Sequence, residues 1–156
     1  MRKVCILLSG DCLSLNAYSA GIQKCNYTEE QKEVLLKAHL HGLQYNLEHT
    51  MPAIIEQESF IGNRILRMNP DDPSFGITHI HFPTLKHLSG LNHWDAISEA
   101  ERLVIDDDLA FEYAVKKLHS VRATTVWGRI KAYNGSGEYA NTVMGIMQKQ
   151  KKCGVI

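Results

Sequence analysis

Apolar residues recur at three- and four-residue steps along most of this chain, with one partly alternating stretch between Phe75 and Phe82. Thr28, followed by Gln31 and a run of good helix formers, has the signature of a capping box. Val34, Leu35, Ala38, Leu43 and Leu47 then repeat near helical spacing, which predicts an amphipathic helix reaching about His49. Pro52 suits the first turn of the next helix, where its missing N–H costs nothing. On that helix Ile54, Ile55 and Glu58 share a face, whereas Glu56 lies on another and reads as solvated.

Periodicity breaks between Gly62 and Pro83, where Asn69-Pro70-Asp71-Asp72-Pro73 is a dense turn signal. Short extended or β pieces are expected at residues 74–82, and Pro83-Thr84 opens a short helix through Leu88. Ser98 and Glu101 read as a second capping box before a helical run. Asp106, Asp107 and Asp108 precede Leu109, Ala110, Tyr113, Ala114, Val115 and Leu118. Acidic residues suit the positive end of a helix dipole, so the triplet reads as a helix start and not as a metal site. Thr124 or Thr125 caps a helix carrying Val126, Trp127, Ile130 and Ala132, and a last helix runs from roughly Glu138 to Gln150. The fold class expected is mainly α, an α+β arrangement with one helical domain over 27–156 and a small β segment. Residues 1–26 read as an N-terminal arm or a weak signal-like segment: Met1-Arg2-Lys3 precedes an apolar run that Asp11 cuts short.

Composition narrows the function classes. At 156 residues the chain can bury a real core. Lys and Arg total 17, as do Asp and Glu, and no basic stripe is interleaved with aromatics, so no nucleic-acid partner is expected. The cluster Lys149, Lys151 and Lys152 reads as a solvated end. No apolar run reaches the roughly 18 residues of a spanning helix, so stable membrane insertion is not expected. Cys5, Cys12, Cys25 and Cys153 permit up to two bridges in an oxidising compartment, in any of three full pairings, with free thiols as the default. Neither His79-x-His81 nor the pair His39 and His41 has a third ligand at a standard spacing, so neither metal nor cofactor is expected.

Glu58 is the candidate for chemistry. It lies in Ala53-Ile54-Ile55-Glu56-Gln57-Glu58-Ser59-Phe60, where Ile54, Ile55 and Phe60 are positioned to shield it from water. Burial disfavours the charged form of a carboxyl, which is how a Glu is kept able to donate a proton.

Three segments in order, Glu58-Ser59, then Ser74-Phe75-Gly76, then Ala132-Tyr133-Asn134-Gly135, resemble the motifs of the soluble lytic transglycosylase family, relatives of goose-type lysozyme. The resemblance covers roughly residues 50–145. It implies a lysozyme-like fold and cleavage of the β-1,4 bond of peptidoglycan, with Glu58 as acid and then base and a 1,6-anhydro product. It further implies that Ser59, Ser74, Gly76, His79, Tyr133 and Asn134 meet the glycan. Gly76 would let backbone approach the sugar, Tyr133 would bring its hydroxyl near the catalytic carboxyl or an N-acetyl group, and Asn134 would order the turn or contact sugar. Family members carry Gln at the position of His79, a departure in the groove itself. Two alternatives stay open: a hydrolytic lysozyme pairing Glu58 with Asp71 or Asp72, and a non-catalytic glycan-binding or assembly protein. Small size and one catalytic domain fit action in the periplasm or cell wall, by a phage lysis or virion enzyme or beside a secretion machine.

Overall fold

The computed structural model describes residues 25–62 and 73–156, so the turn carrying Asp71 and Asp72, the thiols of Cys5 and Cys12 and nearly all of the expected N-terminal arm lie outside the described residues. Within them the fold is mainly helical, in the order α1 (Glu29–Leu43), α2 (Thr50–Ser59), β1 (Ser74–Phe75), β2 (Ile80–His81), α3 (Phe82–Ser89), α4 (His93–Ile105), α5 (Asp107–Ser120), α6 (Val126–Asn134) and α7 (Gly137–Lys152). Among the described residues no helix is long and apolar enough to cross a membrane.

Local chemistry sets most of the helix ends. Thr28 and Gln31 form the reciprocal capping box of α1. Asp106 accepts from the amide of Leu109 at the start of α5, Thr125 from that of Gly128, and Ser136 from that of Tyr139. Gly135 closes α6 in the left-handed region, with φ of 87°. Two expectations need correction. The first helix stops at Leu43 and does not reach His49, because Asn46 turns left-handed and Leu47 folds back to donate to the carbonyl of Gly42. The second capping box does not form: Ser98 lies inside α4, whose cap is Asn92, accepting from the amides of Trp94 and Asp95.

The core gathers around α5 and α2. Ala110, Phe111, Ala114, Val115 and Leu118 form the buried face of α5, which packs on α1, α3, α4 and α6. In α2 every residue from Thr50 to Ile55 is buried, a pattern that belongs to a helix enclosed on all sides. It lies against α1 and α7. One bridge joins Cys25 to Cys153, with Cα atoms 5.5 Å apart, so the default of free thiols does not hold for this pair. Residue 25 is thereby fastened to the end of α7.

The short hairpin pairs Ser74 with His81 and Phe75 with Ile80. Its turn is fixed from below: a Cβ on Gly76 would stand 2.4 Å from the carbonyl oxygen of Leu103 in α4, and φ there is +73°. Only glycine fits both demands. His79, at φ of 47°, completes the turn through its amide to the carbonyl of Gly76.

Candidate active site

Glu58 stands on the last turn of α2, where Phe60 and Ile61 take left-handed conformations and end the helix. Its side chain is 14% exposed and borders a groove of about 390 Å³. The hairpin contributes Ser74, His79 and His81 to that groove, α3 contributes Thr84, and α5 contributes Lys117. Residues Ala132 to Gly135, at the end of α6, line it as well. The three sequence segments singled out for resemblance thus meet at one groove. Among the described residues lining it, Glu58 is the single carboxylate.

Both carboxyl oxygens have neighbours. The hydroxyl of Tyr139 donates to Oε1 at 2.6 Å, and Nδ1 of His79 lies 3.3 Å from Oε2. Burial first, and then the charge of Glu58, push the Tyr139 phenol far above the ordinary tyrosine range, so it remains a donor. His79 is 12% exposed, and its Nε2 is buried without a hydrogen-bond partner among the described residues.

Several expectations change on this geometry. Tyr133 is buried and donates its hydroxyl to the carbonyl of Thr78 at 2.7 Å, not to Glu58. Burial pushes that phenol well above its usual value. The hydroxyl near the acid belongs to Tyr139 instead, whose ring stacks on Tyr133 with centroids 6.5 Å apart and planes 13° from parallel. Ser59 is not brought to the groove, since its buried hydroxyl donates to the carbonyl of Ile55 one turn back. Nor is Gly76, whose close approach is to α4 and not to a sugar. Ser74, His79 and Asn134 do line the groove. Phe60, expected to shield the acid, is itself 77% exposed.

Glu56 is not solvated as its helical face suggested. Its Oε1 takes Nζ of Lys149 at 2.6 Å, and its Oε2 takes the Tyr27 hydroxyl at 2.7 Å and the Gln150 amide at 2.9 Å. Lys149 is accordingly no free tail residue. Burial alone would lower its pKa, but the hydrogen bonds to Glu56 and Tyr27 outweigh it and leave the ammonium above the ordinary lysine range.

Sequence reasoning missed Tyr139, Lys117, His81 and Thr84. His81 carried a trace, since it lies two residues beyond His79 in an extended run. Tyr139 and Lys117 carried none, because their separations from Glu58 correspond to no periodicity. No group of three or more His, Cys, Asp and Glu among the described residues is arranged to hold a metal ion. Comparison with protein-family models, with curated proteins and with solved structures returns no match.

Proposed function

We propose that this protein is a lytic transglycosylase that cleaves the β-1,4 bond between N-acetylmuramic acid and N-acetylglucosamine in peptidoglycan. The observation that carries the reading is the shielded carboxyl of Glu58, the one carboxylate among the described residues of a groove that the Ala132 to Gly135 segment also lines. In this mechanism Glu58 in its acid form passes its proton to the glycosidic oxygen as the bond from the anomeric carbon to that oxygen breaks. The 6-hydroxyl of the same muramic residue then closes onto the anomeric carbon and returns its proton to Glu58. Acid and base are one residue, no water is consumed, and the attacking hydroxyl is already in the substrate, which supplies proximity without a second carboxylate. That economy agrees with the single carboxylate among the described residues of the groove. A bridge between Cys25 and Cys153 suits an oxidising compartment and supports action at the cell wall.

Digestion of purified sacculi followed by mass spectrometry tests both parts. The expected products are 1,6-anhydro-muropeptides, with Glu58→Gln slower by about 100-fold or more and still folded. Reducing ends would make the protein a hydrolase, and undiminished cleavage by Glu58→Gln would place the acid elsewhere.

A further inference from the structure

Thr78 is fastened twice. Its carbonyl accepts the Tyr133 hydroxyl at 2.7 Å, its own hydroxyl donates to the carbonyl of Ala110 in α5 at 3.2 Å, and the residue is fully buried. His79 follows, left-handed at φ of 47° and bonded through its amide to the carbonyl of Gly76. Histidine is one of the few side chains enriched in that conformation. The turn therefore aims the imidazole: the side chain is 12% exposed, and Nδ1 lies 3.3 Å from Oε2 of Glu58. Tyr139 already donates to Oε1 at 2.6 Å. The oxygen that carries the proton of a carboxylic acid is its donor, and the other is the better acceptor. In the acid form Oε1 thus takes the phenol, and the transferable proton sits on Oε2, the oxygen facing His79.

We propose that His79 is a positioning residue: through Nδ1 it aims Oε2, the oxygen from which the proton leaves and to which it returns, while Tyr139 fixes Oε1. This rests on the glycan-cleaving reading and adds how its acid is oriented. A neutral imidazole has one nitrogen that accepts and one that donates, so Nδ1 can meet the acid as an acceptor or the carboxylate as a donor. The separation of 3.3 Å is long for a hydrogen bond, and catalytic contacts of this kind commonly tighten once substrate is bound. Tyr133 acts on the same oxygen at one remove, because it holds the carbonyl of the residue before His79. The role differs from a sugar contact, since the atom used is Nδ1 and its partner is the acid.

Three substitutions in the full chain test the assignment, read as kcat and KM for release of muropeptides from soluble, uncrosslinked glycan strands. His79→Gly suits the left-handed backbone and removes the ring, His79→Asn places an amide atom where Nδ1 lies, and His79→Gln places one near Nε2. His79→Gly and His79→Gln are expected to lose about 10- to 100-fold in kcat with KM little changed, the scale of a misplaced reacting group, and His79→Asn to recover most of that loss. In a Glu58→Gln background, His79→Gly should leave the residual rate unchanged, since its effect runs through the acid. Thermal melts confirm that each variant is folded. Undiminished kcat in His79→Gly, no recovery by His79→Asn, recovery by His79→Gln, or a loss confined to KM overturns the assignment and leaves the glycan reading in place. Failure of the unaltered protein to cleave any strand overturns both.

Discussion

A carboxyl group at the end of a helix turns freely about its last torsion unless something holds it, and Tyr139 holds Glu58. The bond costs the protein little to keep, since burial leaves that phenol protonated far into alkaline solution. Its value is geometric: fixing one oxygen decides where the other points, and misplacement of a reacting group by an ångström is expensive in rate. Tyr139→Phe keeps the ring and its stack on Tyr133 and removes only the donor. The variant is expected to lose about tenfold or more in kcat with KM little changed, and about 1 kcal/mol in urea denaturation, the usual net worth of one hydrogen bond. An unchanged kcat would show that the carboxyl is oriented without its neighbour.

Among the elements, the contact that positions the acid is α7 on α2. Its polar seam is Glu56, two residues before Glu58, which gathers Lys149, Gln150 and Tyr27 from both ends of the described chain. The carboxylate of Glu56 is 14% exposed and the ammonium of Lys149 20%, so each would be poorly solvated alone. Removing one partner of such a pair leaves the other uncompensated. Glu56→Ala is therefore expected to cost about 2–4 kcal/mol in chemical denaturation, and adding Lys149→Met should recover part of it by removing the stranded cation. If Glu56→Ala loses no more than a surface substitution, about 0.5 kcal/mol, the seam contributes nothing to the docking of α7.

For the molecule as a whole, the bridge from Cys25 to Cys153 closes a loop across a sequence separation of 128. Constraining so long a segment removes much of the entropy of the unfolded chain, worth about 5 kcal/mol at most and commonly about 2–4 kcal/mol. Replacing both cysteines by alanine should lower stability by that order and lower the thermal midpoint by several degrees. An identical melt for the double variant would mean that the two ends are held by noncovalent contacts alone, Tyr27 on Glu56 among them.

The mainly helical class, the capping box at Thr28, the helix starts at the Asp106 triplet and at Thr124 or Thr125, and the small β segment before α3 were determined by the sequence, because period, cap and turn residues act within a few positions of one another. It likewise marked out the segments that meet at the groove. What Glu58 touches there was decided by the tertiary structure. Tyr139 lies 81 positions away and Thr78 takes the Tyr133 hydroxyl across 55, distances over which no local pattern extends. The same reason explains Glu56, whose helical face looks outward in isolation and is covered only once α7 packs against it. Burial and partnership are properties of the packed chain, and they decided which of two neighbouring glutamates became a structural anchor and which borders the groove.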